Sequence, residues 1–322
     1  MAAVACGIDI GGTKIAGGLV TPEGAIVYRE ERPTLAHEGG RAVAGRARAL
    51  VEHLVQKAEG QGLEPVGIGV GAGGAISGGR VVGATSLIQD WVGTDLVHAI
   101  RYRELPVRAD NDVKAMAHAE LLWGEARGTR SALLVALGTG VGGAVIVNGA
   151  VVEGADGLAG HLGHVPVRPD GPPCSCGLRG CVEAYISGTA ILRAAQHRLA
   201  EEGLSTRLPN ASAVWEAAQA GASWAQATLE EAVDAFAVGF RGLVFALNPE
   251  RIILAGGLST WGEPFRQLLW ERLRLQLPDH FSQHLTLSIS RWRSELGILG
   301  AAAMVFRETG FPNESPHPSG PQ

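Results

Sequence analysis

VACGIDIGGTKIAGGLV, residues 4–20, holds two short apolar runs on either side of Gly11-Gly12-Thr13-Lys14. Runs of this length bounded by glycine predict strands at 4–10 and 15–20 joined by a tight turn. Thr21-Pro22-Glu23-Gly24 marks the next turn, into a third strand at 25–28. The same form returns further on. IDIGGTKIAGGLV at 8–20 can be set beside VALGTGVGGAVIV at 135–147, each an apolar strand, a Gly/Thr turn and an apolar strand. The repeat suggests two similar domains facing one another, each offering a turn to a shared ligand; a chance match of glycine-rich hairpins is the alternative.

Around these hairpins, strands alternate with helices. Residues 37–61 are Ala-rich, with Val43, Leu50, Val51, Leu54 and Val55 at helical spacing. Strands are expected at 65–71, 106–109 and 251–254, and 72–83 reads as a loose stretch. Asp110-Asn111-Asp112 offers helix caps for a helix to about Arg127. Further helices are expected at 183–202, 212–247, from Glu263, and at 296–307. The Pro/Ser-rich remainder, 308–322, is expected to be a disordered tail. This alternation gives an α/β class.

Composition removes several classes. A chain of 322 residues has room for about two domains of ~150 residues. With 27 Lys+Arg against 32 Asp+Glu, the net charge of −5 and the lack of a basic run argue against nucleic acid. A hydrophobic content of 46% argues against disorder. The 46 glycines are about twice ordinary usage, as expected where backbone approaches a ligand closely. Residues 131–152 carry no charge and could span a bilayer by length. Their five glycines would each cost a helix roughly 1 kcal/mol, so two strands are expected there instead. The opening MAAVACGIDI lacks a basic leader, and the expected location is the cytoplasm.

Three sites carry chemistry. Asp9 to Lys14 (DIGGTK) resembles a phosphate-binding hairpin: glycines bring backbone N–H groups to phosphate oxygens, Thr13 adds a hydroxyl and Lys14 a countercharge. The Walker A spacing is absent, and Asp9 suits a water-mediated Mg²⁺ contact. A plain hairpin turn is the alternative, weakened by the second turn at Gly138-Thr139-Gly140. Asn111-Asp112 opens a helix after a strand, where the positive helix end favours an ionised carboxylate. Such a group can accept a hydroxyl proton during phosphoryl transfer, or merely cap the helix. Cys174, Cys176 and Cys181, with His164 ten residues upstream of Cys174, have the spacing of a closed structural Zn²⁺ site. A disulfide is the rival, disfavoured by the short Cys174–Cys176 spacing and by a reducing compartment. Cys6 reads as a small buried hydrophobe.

Taken in order, DIGGTK at 9–14, NDVKAMAHAE at 111–120, LGTGVGGAV at 137–145, GLAGHLGH at 157–164 and GPPCSCGLRGCVEA at 171–184 resemble the ROK family of repressors and sugar kinases. The resemblance runs to about Arg307. It implies a two-lobed actin/hexokinase-type ATPase (ribonuclease H-like) fold with a cleft between the lobes. The small N-terminal lobe would be 1–113, joined by the last helix at 296–307, and the larger lobe, with the zinc loop, 114–295. It implies ATP-dependent phosphorylation of a hexose 6-hydroxyl with Mg²⁺, and a homodimer. Asp112 matches the catalytic base and Asn111 a sugar contact. Glu183 and His164 match sugar-contacting positions, His164 also ligating zinc. Asp9, Gly11, Gly12, Thr13, Lys14, Thr139 and Gly140 match the phosphate and Mg²⁺ side, and Gly256 and Gly257 the adenosine side.

The departures bear on the substrate. Many members read E-[IL]-G-H where this chain has His161 in the Glu position. A neutral imidazole offers one donor and one acceptor, and a donor there suits an acetamido carbonyl. AGHLGH is similar to AGHIGH of the family's bacterial N-acetylmannosamine kinases, so N-acetylmannosamine is expected ahead of glucose, N-acetylglucosamine or another hexose; polyphosphate is a possible donor beside ATP. Residues 85–91, TSLIQDW, depart from a common P-N pattern and leave one sugar-contact Asn unassigned, and Lys114 replaces a common Asn. The family's DNA-binding repressors carry an N-terminal winged helix, for which the start at Asp9 leaves no room. A catalytically silent sugar sensor is the remaining non-enzymatic alternative.

Overall fold

The structure, a computed structural model, describes residues 1–84 and 87–309. The chain begins with β1 (Ala2–Ile10), β2 (Lys14–Val20) and β3 (Ile26–Pro33), followed by α1 (Gly40–Gly60) and β4 (Leu63–Ala72). A small hairpin, β5 (Ala75–Ser77) and β6 (Arg80–Gly83), precedes α2 (Leu96–Ile100), β7 (Val107–Asn111) and α3 (Asp112–Trp123). Next come β8 (Ser131–Leu137), β9 (Val141–Val147) and β10 (Ala150–Val151), then α4 (Glu183–Ile186), α5 (Gly188–Glu201), α6 (Ala211–Gln219) and α7 (Ser223–Leu247). The chain continues through β11 (Arg251–Ala255), α8 (Glu263–Arg274), α9 (Asp279–Ser282), β12 (Thr286–Ile289) and α10 (Leu296–Thr309).

Two five-stranded sheets result, in the orders β3-β2-β1-β4-β7 and β10-β9-β8-β11-β12. The matching orders give the sequence repeat a structural counterpart: in each sheet the repeated hairpin is followed by a strand added beside its first member. β1 pairs antiparallel with β2 and parallel with β4, which pairs parallel with β7. In the second sheet β11 lies parallel to both β8 and β12.

The chain divides into two compact units. One comprises Met1–Arg130, Val145–Ala159 and Ser294–Gln322, the other Ser131–Ala144 and Gly160–Arg293. This differs from the boundary expected after Val113. The helix α3 grows directly out of β7 and packs on α10 and β4, so it stays with the first unit, as does 145–159.

In the first unit, strand alternation assigns the two faces of β1. Cys6, Ile8 and Ile10 join a core with Val43, Leu50 and Leu54 of α1, while Gly7 and Asp9 face α10. That second face is unusually close. A Cβ on Gly69 would lie 1.8 Å from the Ala301 carbonyl oxygen, so helix and sheet meet backbone to backbone. Cys6 is fully buried, as expected of a small hydrophobe.

The helix expected over 183–202 is broken at Ser187. That residue is extended, caps α5 by accepting from the Ala190 N–H at 3.1 Å, and lets α5 start afresh. The loose stretch 72–83 instead holds the β5–β6 hairpin, and β10, α2 and β12 are additions. The expected tail from 308 begins as the last two residues of α10, and 310–322 lie outside the described residues. Residues 131–152 form strands, and among the described residues no helix is long and apolar enough to cross a membrane.

Candidate active site

In the first unit, parallel pairing brings the first and second predicted chemical segments to one sheet edge. Ala72 of β4 stands opposite Ile10 on one side and Asn111 on the other. With strands ~4.8 Å apart, the ends of β1 and β7 lie about 10 Å from one another across β4. Asp9, the glycine turn, Asn111 and Asp112 therefore share the carboxyl edge, where open α/β sheets place their ligands.

The turn is held from behind. Gly11 N–H donates to the Lys14 carbonyl at 3.0 Å. Thr34, fully buried, donates its N–H to the Thr13 carbonyl at 3.0 Å and its hydroxyl to the Gly11 carbonyl at 2.7 Å. Thr13 and Lys14 stay exposed. Lys14 is already paired with Glu31 at 2.7 Å. The Leu87 side chain lies 3.8 Å from where a Gly12 Cβ would be.

Asp9 occupies the tightest position. A Cβ on Gly297, in the first turn of α10, would lie 2.3 Å from its carboxylate, so only glycine leaves room for the acid. Burial, then the nearby Asp112 carboxylate, push the Asp9 carboxyl up to about 7, against the pull of Lys14.

Asp112 is the first residue of α3. Its Oδ1 accepts from the Val113 N–H at 2.9 Å, which orients the carboxylate at the positive end of the helix. Asn111 is the N-cap, its Oδ1 accepting from the Val113 and Lys114 N–H groups, while Nδ2 donates to the Gly74 carbonyl at 3.0 Å. One amide hydrogen of Asn111 is left beyond these contacts. Of the divergent stretch 85–91, Thr85 and Ser86 lie outside the described residues, and Trp91 Nε1 donates to the Gly73 carbonyl at 2.9 Å.

The second unit gathers the other predicted residues. The turn at Gly138-Thr139-Gly140 closes one residue tighter than the first, Gly138 N–H donating to the Gly140 carbonyl at 2.9 Å. The start of α5 abuts it, with Gly188 N–H on the Gly138 carbonyl at 2.8 Å. Gly256 has φ +82° and packs against the Leu137 carbonyl, leaving no space for a side chain. Gly257 faces open space. Thr139, Gly140, Gly256 and Gly257 thus cluster at the ends of β8 and β11.

Glu183 links this turn to the cysteine loop. Its Oε2 accepts from the Val141 N–H at 2.8 Å and its Oε1 from the Ser175 hydroxyl at 2.5 Å. Ser175 stands between two cysteines, where only the geometry reveals its part.

The cysteine loop is a folded-back ribbon. Val167 N–H donates to the Gly180 carbonyl and Val182 N–H to the Val165 carbonyl, which sets His164 beside Cys181. Cys174 N–H on the Leu178 carbonyl closes the inner turn that returns Cys174 and Cys176. One ligand atom from each of His164, Cys174, Cys176 and Cys181 lies within 4.8 Å of all the others.

Tetrahedral zinc, with Zn–S about 2.3 Å and Zn–N about 2.0–2.1 Å, implies S···S edges of about 3.8 Å and S···N edges of about 3.6 Å. The Cys176–Cys181 sulfurs are 3.7 Å apart, and Cys174 Sγ is 3.5 Å from His164 Nδ1. The donor set fits the metal. Burial, together with Cys174 and Cys176, pushes the Cys181 thiol up to about 12, so without a cation these thiols do not all ionise. His161 is not part of this group; its ring stacks on His164 at a centroid distance of 6.2 Å and 27°.

The profile of the ROK family matches residues 5–308. The chain belongs to the ROK family. It is 32% identical over 314 residues to a glucokinase of Thermotoga maritima, covering 94% of this chain and 98% of that one. It is also 32% identical over 303 residues to an N-acetylmannosamine kinase of Escherichia coli, covering 94% and 98%. A ROK family glucokinase from Streptomyces griseus, solved in complex with glucose and AMPPNP, superposes with a TM-score of 0.78 at 28% identity, over 94% of this chain and 98% of that one. The chain thus has the sequence and the actin-like ATPase fold of this family's sugar kinases.

Proposed function

We propose that this ROK protein transfers the γ-phosphoryl group of ATP to the 6-hydroxyl of a hexose, with N-acetylmannosamine as the favoured acceptor. The arrangement that supports a kinase most directly is the first-unit sheet edge, where Asp112 lies at a helix start beside Asp9 and the glycine turn. In this reading Asp112 accepts the hydroxyl proton as the oxygen attacks phosphorus, and the proton stays on its carboxylate. The Val113 N–H aims that carboxylate at the positive end of the helix.

Asn111 gives its remaining amide hydrogen to the sugar. The glycine turns offer N–H groups to phosphate oxygens, with Thr13 and Thr139 as hydroxyl donors; Gly256 makes the turn and Gly257, facing open space, leaves room for the adenosine. Mg²⁺ bound with ATP neutralises phosphate charge, and Asp9 is the residue suited to hold it.

His164, Cys174, Cys176 and Cys181 would hold a structural zinc. With Nδ1 turned to the thiols, the other nitrogen of His164 is the one left for a sugar hydroxyl. Glu183, held by Val141 and Ser175, is the matching acceptor. Reduced thiols suit a cytoplasmic home. A homodimer is inferred from the family resemblance, and a solution mass twice 33.5 kDa tests it.

The acceptor preference rests on His161, which stands where many members carry Glu in E-[IL]-G-H, an imidazole donor at that position suiting an acetamido oxygen. Glucose is the second reading, favoured by 32% identity to the Thermotoga glucokinase. A coupled ADP-release assay with N-acetylmannosamine, N-acetylglucosamine, glucose and mannose, with ATP or polyphosphate as donor, ranks the acceptors. Asp112→Asn should lower kcat about 10²–10⁴-fold while retaining sugar binding. Near-normal turnover in that variant removes Asp112 from its role.

A further inference from the structure

Lys114, one of the departures from the family pattern, is buried instead of lining an open wall. Its side chain is 3% exposed, and its ammonium spans three acceptors: Asp110 Oδ1 at 2.9 Å, Asp110 Oδ2 at 2.8 Å and the Gly157 carbonyl at 3.0 Å. Asp110 in turn accepts from the Asn111 N–H at 2.7 Å. The ion pair therefore brackets Asn111 and Asp112 from both sides in sequence. The Gly157 contact reaches the middle stretch of the first unit, 145–159, whose chain continues into His161. Gly157 has φ +75°, and its Cβ position is 3.2 Å from the Ile76 carbonyl, so the segment passes too closely for a side chain.

An ammonium removed from water demands partners on every side, and its geometry is correspondingly fixed. One cation thus sets two things at once: the start of α3, which presents Asn111 and Asp112, and the path of 153–159. Beside it is a cavity of about 320 Å³ lined by Gly79, Arg108, Asp110, Lys114, Glu153 and Gly157. That space can take a larger cationic head.

We propose that Lys114 is a positioning residue for sugar binding, clamping the segment before His161 onto the helix start that carries Asn111 and Asp112; this rests on the kinase reading above. Lys114→Met alone strands the Asp110 carboxylate, so a lower stability there is uninformative. The deciding variant is the double change Asp110→Asn with Lys114→Met, which removes the pair without an orphan charge.

The double variant should remain folded, raise the sugar KM roughly tenfold and leave the ATP KM unchanged, as expected when a group that orients binding residues is lost. Its amides at 153–160 should exchange faster with deuterium. Lys114→Arg, using the adjoining cavity, should restore both sugar KM and exchange. A double variant with wild-type sugar KM and wild-type exchange overturns the positioning role while leaving the kinase reading intact. A wild-type protein that phosphorylates no sugar overturns the kinase reading and the positioning role together.

Discussion

Replacing Asp9 by Asn tests whether the acid is held against its preference. The folded protein raises this carboxyl from 3.8 to about 7, chiefly by burial and then by Asp112. At about 1.4 kcal/mol per pKa unit, that is a cost of up to ~4 kcal/mol once the group is ionised. The positive end of α10, at Gly297, pulls the other way by as much as ~2 kcal/mol, leaving roughly 2–4 kcal/mol. The sign follows from the direction of the shift. A carboxyl whose folded pKa is raised costs nothing below its unfolded value. The cost accrues between about pH 4 and pH 7, and is full above. Asp9→Asn should therefore be more stable than wild type at pH 8 by roughly 2–4 kcal/mol and by less than about 2 kcal/mol at pH 5. Urea unfolding of both proteins across that range, without added Mg²⁺, measures the gap. Adding Mg²⁺ should narrow it by stabilising the wild type alone, and the variant should lose activity despite its stability. A gap independent of pH, or a variant less stable than wild type at pH 8, refutes this reasoning.

Other perturbations probe separate parts. Cys181→Ser should abolish zinc in metal analysis of the purified protein and lower activity by about 10–100-fold through the loosened Glu183–Ser175 contact; an unaltered metal content counts against the site. Gly69→Ala places a methyl 1.8 Å from the Ala301 carbonyl oxygen. It should cost about 4 kcal/mol or more, visible as lost soluble yield or a collapsed urea midpoint. His118, half-buried with its Nδ1 out of water, is pushed down to about 3 by desolvation and then by Arg307 and Lys114, which makes stability fall as pH drops below about 6.5 toward 3. His118→Gln should flatten that acid limb in the same unfolding assay.

The sequence made the strands and turns legible because glycine and β-branched runs punctuate short buried strands sharply. The hairpin repeat at 8–20 and 135–147 emerged as two sheets of matching strand order. Helix breaks were harder: Ser187-Gly188 is a cap signal inside an apolar run, and only its contact with the Gly138 carbonyl shows why the helix restarts. The boundary at Val113 failed because α3 is bound by packing to a helix almost two hundred residues later, which no local pattern records.

The cysteine spacing pointed directly to its cluster. Supporting residues did not stand out. Thr34 lies about twenty residues from the turn it steadies, Ser175 is an ordinary serine by sequence, and Gly297 matters only because Asp9 lies against it. Each acts through a long-range contact, and a single sequence gives no sign of those.

Among the described residues α10 comes latest in the chain, and it is the helix that Gly7 and Gly69 are shaped to receive. Until α10 has been synthesised, the face of β1 and β4 meant for it stays open to water. A chain cut short before Leu296 would therefore carry its glycine turn and Asp112 on a half-made support exposed to chaperones and proteases.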